Sequence, residues 1–77
     1  MIAAYILIHA EPGQAAIVAA ALRDVPGVLE TASVAGPYDV IVRAQAPDID
    51  ELAKLAASRV QALDGVTRTL TCAVMHL

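Results

Sequence analysis

The chain is punctuated twice in the same way. One helix-like stretch runs into Pro26-Gly27-Val28 and a second runs into Asp64-Gly65-Val66, 38 residues further on; in each, glycine ends a helical pattern and valine opens an extended one. An extended segment also precedes each helix-like stretch. Ile2 to Ala10 is short, rich in β-branched residues and stopped by Glu11-Pro12-Gly13, so it reads as a strand. Gln14 to Val25 is dominated by alanine, with Val18, Leu22 and Val25 recurring at helical spacing, and reads as an amphipathic helix. Val28 to Ala35 and Tyr38 to Ala44 predict two strands joined at Gly36-Pro37. Beyond Pro47, Asp48 with Glu51 three residues later makes an aspartate version of the capping box, predicting a second helix to about Leu63. Val66 to Met75 completes the pattern as a last strand, with Thr67, Thr69 and Thr71 on one face and Leu70, Cys72 and Val74 on the other.

The order βαββαβ predicts an α+β, ferredoxin-like domain: a four-stranded antiparallel sheet with both helices on one face, because right-handed crossovers carry them to the same side. One domain, residues 1–77, is all that this length accommodates. The first strand then poses a problem. Ile2, Ala4, Ile6 and Ile8 can line the helix side, but the opposite parity carries Ala3, Tyr5 and Leu7, and Ile41 repeats this on the third strand. With 58% hydrophobic and 17% charged residues in 77, the bare face is expected to be covered by a second copy in an isologous homodimer.

Charge and motifs exclude more than they select. Arg23, Arg43, Lys54, Arg59 and Arg68 are scattered against eight acidic residues for a net charge of -3, which leaves no footprint for direct nucleic-acid or membrane-surface binding. No apolar run approaches the roughly 20 residues that cross a bilayer, and the N-terminal residues show no basic n-region or following cleavage pattern, so no leader is expected. Cys72 is the only cysteine, so no intrachain disulfide forms and a cytoplasmic setting is expected. The zinc, redox, nucleoside-triphosphate and dinucleotide signatures are missing, and no metal or cofactor is expected. His9 and His76 lie near strand ends and, in this topology, toward opposite ends of a strand pair, so they do not share a metal. They read as ordinary strand-end histidines, with a ligand-facing or interface role open for His9. Cys72 reads as a small inward-facing hydrophobe.

Two segments remain with chemistry to offer. Gly36-Pro37-Tyr38-Asp39 is composed of ordinary turn residues. It also places backbone N–H groups, an aromatic ring and a carboxylate within four residues, enough to hold a small zwitterion. Thr67-Arg68-Thr69-Leu70-Thr71 fits a half-exposed edge strand by propensity alone, yet Thr69 and Thr71 present two hydroxyls on one face.

The ordered set Pro26-Gly27-Val28, Gly36-Pro37-Tyr38-Asp39-Val40-Ile41-Val42 and Leu63-Asp64-Gly65-Val66-Thr67-Arg68-Thr69-Leu70-Thr71 resembles the effector-binding (RAM) domain of the Lrp/AsnC transcriptional regulators over almost the whole chain. The resemblance implies a non-enzymatic module that dimerises through its sheet, assembles into octamers or decamers and binds an amino acid effector between dimers. Carried over residue by residue, it implies a site of Gly36, Tyr38, Asp39, Thr69 and Thr71. The first strand begins at Met1-Ile2, so a stand-alone effector domain without a helix-turn-helix is expected, acting as a sensor, through mixed assembly with full-length regulators, or on another protein. Geometry adds that the third and fourth strands lie two steps apart, about 10 Å, so a pocket using both segments must be built between subunits. Competing readings are a small dimeric αβ-barrel enzyme using His9 or Tyr38, an ACT-like module with its ligand at a helix–sheet junction, and an RNA-recognition motif, for which the aromatics and basic surface are missing.

Overall fold

The computed structural model describes residues 1–76. Strand β1 spans Ile2–Ala10, helix α1 Ala15–Leu22, β2 Val28–Ser33, β3 Val40–Ala46, helix α2 Ile49–Lys54 with a π-helical continuation Leu55–Val60, and β4 Val66–Ala73. The strands form one antiparallel sheet in the order β2-β3-β1-β4, the ferredoxin-like arrangement expected from the sequence.

Element ends differ from the sequence pattern for identifiable reasons. α1 stops at Leu22 rather than Val25 because Pro26 disfavours helical geometry in the residue before it. The chain there tightens into i→i−3 bonds, from the N–H groups of Arg23, Asp24 and Val25 to the carbonyls of Ala20, Ala21 and Leu22. β3 starts at Val40 and runs on to Ala46, because Ala46 still pairs with Ile2 and the Gln45 N–H donates to the Gly27 carbonyl at 2.8 Å. The Asp48 cap forms, its Oδ1 accepting from the Glu51 N–H at 2.9 Å. Glu51 does not reciprocate; its carboxylate accepts from Lys54 Nζ at 3.3 Å instead.

The repeated punctuation is a real structural equivalence. Gly27 and Gly65 both take positive φ, +95° and +92°, and each carbonyl accepts a strand-end N–H at 2.8 Å, from Gln45 and Glu11 respectively. A Cβ on Gly27 would stand 2.9 Å from the Gln45 carbonyl oxygen, so both backbone conformation and space require glycine there.

Parity sorts the sheet into two unlike faces. Ile6 and Ile8 of β1 with Val40, Val42 and Ala44 of β3 are fully buried under the helices, where they meet Val18, Leu22, Leu55 and Val60, and Ala4 is buried beside Ala46 and Leu52. Residues directly opposite in an antiparallel ladder share a face, so the other face carries Ala3, Tyr5, Leu7 and His9 of β1, Ile41 and Arg43 of β3, and Arg68, Leu70 and Cys72 of β4. Among the described residues no element packs over it. Tyr5 and Leu70 are 45% and 50% exposed.

This register corrects the expectation for Cys72. It stands opposite Tyr5, so it belongs to the uncovered face and is exposed. Thr69 and Thr71 oppose Ile8 and Ile6 and so lie on the helix side of β4; β4 is an edge strand that the helices only partly reach, and Thr71 is exposed there. Thr67 leaves the alternation, because the β1–β4 register shifts between His9 and Ala10.

Candidate functional site

The connection between β2 and β3 is closed by backbone before any side chain acts. The Val34 N–H donates to the Asp39 carbonyl and the Asp39 N–H donates to the Ile8 carbonyl, both at 2.9 Å. The loop is thereby tied to the end of β1. Gly36 and Pro37 project into solvent, while Tyr38 and Asp39 turn back and are half-buried. A Cβ on Gly36 would meet no atom within 4 Å, and its φ is not left-handed, so its place at the tip reflects an open turn rather than a steric demand.

Asp39 works for the fold first. Its Oδ2 accepts from the Ala10 N–H at 2.9 Å, satisfying a donor where the β1–β3 ladder runs out. The same oxygen lies 4.0 Å from His9 Nδ1, a contact between partly exposed groups that contributes little on its own. Oδ1 remains open to a second donor. Tyr38 packs its ring on the His9 imidazole, with centroids 4.5 Å apart and planes tilted by 31°.

His9 is the meeting point to which the sequence pattern gives least weight. Asp39 and Tyr38 reach it from one side. On the other side Arg68 is its ladder partner, and Thr67 Oγ1 donates to its carbonyl at 3.1 Å. The signal for it lies in β1: His9 has the parity of Tyr5 and Leu7, so it has to point to the uncovered face.

Of the five residues expected to bind ligand, Tyr38 and Asp39 are therefore brought together at His9, and Gly36 stands at the exposed tip of the same loop. Thr69 and Thr71 are not, since β1 separates their strand from β3 and they face the helix side. The hairpin end offers a carboxylate oxygen for an ammonium group and an aromatic wall, with Arg68 opposite His9 on the neighbouring strand. Among the described residues no group of three His, Cys, Asp or Glu is placed to hold a metal ion, and no helix is long and apolar enough to cross a membrane. A groove of about 510 Å³ lies at the opposite end of β3, between the Pro26-Gly27 turn and the second helix; no motif in the sequence points to it.

Comparison with known proteins places this geometry among relatives. Residues 3–77 match the Lrp/AsnC ligand binding domain. An uncharacterized HTH-type transcriptional regulator of Pyrococcus furiosus is 30% identical over 71 residues, which is 88% of this chain and 47% of that protein. The chain thus spans about half the length of that curated relative. The crystal structure of TTHA0845 from Thermus thermophilus superposes with a TM-score of 0.93 at 31% identity, covering 100% of this chain and 96% of that one. The transcriptional regulator NMB0573 of Neisseria meningitidis, crystallised as a complex with L-Met, superposes with a TM-score of 0.86 at 21% identity over 97% of this chain and 50% of its own.

Proposed function

This chain belongs to the Lrp/AsnC ligand-binding domain family, and from that premise we propose that it is a non-catalytic sensor that binds an amino acid effector where its subunits meet. The observation that carries the reading is the half-finished sheet. Helices cover one face, while Tyr5, Leu7, Ile41 and Leu70 form an apolar patch on the other, and such patches mark association surfaces. A second copy laid over it by a two-fold axis gives an isologous homodimer, which would assemble further into an octamer or decamer.

The effector site belongs at the hairpin end. Asp39 would take the ammonium group of the amino acid with its spare oxygen, and Gly36 and Tyr38 would supply main-chain donors and an aromatic wall. Thr69 and Thr71 of another subunit would complete the pocket, since within one chain they lie two strands from β3. The complex of the Neisseria regulator with L-Met supports the ligand class. A ligand that contacts only the assembled state stabilises it by mass action, so effector level would control assembly, and through mixed assembly the activity of full-length regulators in the same cytoplasm.

Thermal denaturation with each of the twenty amino acids tests this. At least one should raise Tm, and Asp39→Asn, which keeps an oxygen for the Ala10 N–H but loses the charge, should abolish that rise while leaving the ligand-free Tm near wild type. A rise that persists undiminished in Asp39→Asn would remove the hairpin from the site.

A further inference from the structure

The groove at the far end of β3 has a construction of its own. Its floor is apolar, formed by Ala46 and Leu55, both part of the buried core. One wall is main chain: Gly27 lies backbone-first against β3, its carbonyl accepting the Gln45 N–H. The other wall is the second helix, whose rim residues Glu51, Lys54, Ser58 and Arg59 edge the opening.

Glu51, Lys54 and Ser58 share a face by ordinary helical spacing, and the π-helical turn adds Arg59 to it. The Gln61 N–H reaches back to the Ala56 carbonyl at 2.9 Å, an i→i+5 bond. Such a turn is wider than an α-helical one and carries Arg59 toward the side of the helix that bears Lys54, both of which line the groove. In an α-helix residues three and four apart share a face, and the fifth is carried away from it. Helix geometry thus directs two cations into one cavity.

Their charges are not equally available. Lys54 Nζ is paired with Glu51 Oε1 at 3.3 Å, whereas Arg59 has no carboxylate within 4.0 Å among the described residues. The rim is left with a single uncompensated positive charge above an apolar floor. We propose that this groove binds a small monocarboxylate with an apolar body, such as a branched 2-oxo acid. The Arg59 guanidinium takes the carboxylate through its planar fork, the Ser58 hydroxyl lies beside it, and Ala46 and Leu55 receive the hydrocarbon. A free phosphate brings no apolar body. A zwitterionic amino acid needs a negative charge to balance its ammonium group, and the charge of Glu51 is already balanced by Lys54. The site is separate from the hairpin and does not depend on the effector reading given for it.

Isothermal titration of the full chain with 4-methyl-2-oxopentanoate, with leucine and inorganic phosphate as parallel arms, tests the assignment. The oxo acid should bind saturably at one per chain. Arg59→Gln should weaken it about tenfold or more, Lys54→Gln should weaken it through the released Glu51 carboxylate, and Asp39→Asn should leave it unchanged. Arg59 and Lys54 are exposed, so both variants should fold, which circular dichroism checks. The proposal is overturned by the absence of saturable heat at millimolar ligand, by affinity that survives Arg59→Gln, or by affinity lost in Asp39→Asn. Leucine or phosphate binding as tightly as the oxo acid, with affinity that is lost in Arg59→Gln and kept in Asp39→Asn, would overturn the ligand class.

Discussion

Leu70→Glu is expected to convert the protein to monomers without unfolding it. Leu70 sits on the uncovered face, opposite Leu7 in the ladder, and is 50% exposed in the isolated chain. Fully burying a leucine is worth about 1.5–3 kcal/mol, so covering the exposed half on association contributes about 1 kcal/mol per copy and about 2 kcal/mol for a two-fold pair. Glutamate forfeits that and adds the cost of desolvating a carboxylate, at least about 1 kcal/mol per copy even where some water remains. The total of about 4 kcal/mol raises the dimer Kd roughly a thousandfold. The fold should survive, because the helix-side core does not include Leu70. Sedimentation equilibrium across a dilution series gives the Kd, and far-ultraviolet circular dichroism reports the fold. Ile17→Glu is the matched control: Ile17 is 61% exposed on α1, on the other side of the molecule. Wild-type association by Leu70→Glu, or equal dissociation by Ile17→Glu, would refute the argument that the bare sheet is the interface.

Three further outcomes follow from the packing. Asp39→Ala strands the Ala10 N–H and should lower stability by about 1–3 kcal/mol, or roughly 4–8 °C in Tm per kcal/mol; a ligand-free Tm equal to wild type would mean that water replaces the bond at no cost. Gly27→Ala must force a Cβ to 2.9 Å from the Gln45 oxygen at φ +95° and should lose more than about 1 kcal/mol in urea denaturation, while Gly36→Ala, in open space, should be near neutral. Leu22→Ala, fully buried between α1 and the sheet, should cost about 2.7–5 kcal/mol, seen as a lower urea midpoint with unchanged slope.

Hydrophobic parity and glycine punctuation are local properties, and what they govern is legible in the residues. The strand and helix order, the two-faced β1, the Asp48 cap and the equivalence of Gly27 with Gly65 follow from spacing, propensity and the φ each position tolerates. Their agreement with the structure needs no knowledge of what lies far away in the chain. Pairing register is different, because it is settled by long-range partners. The alternation of β4 alone makes Cys72 inward, but which parity of that strand faces the helices is decided by Tyr5 opposite Cys72 and Ile6 opposite Thr71. The same ladder separates Thr69 and Thr71 from the hairpin and gathers His9, Tyr38 and Asp39 at one sheet end.

The sequence by itself thus determined which segments are extended or helical and that the sheet would be apolar on both sides. Only the tertiary structure decided which functional groups meet, because a side chain's neighbours across a sheet or a groove come from residues distant in the chain, and a one-residue shift in register exchanges every one of them.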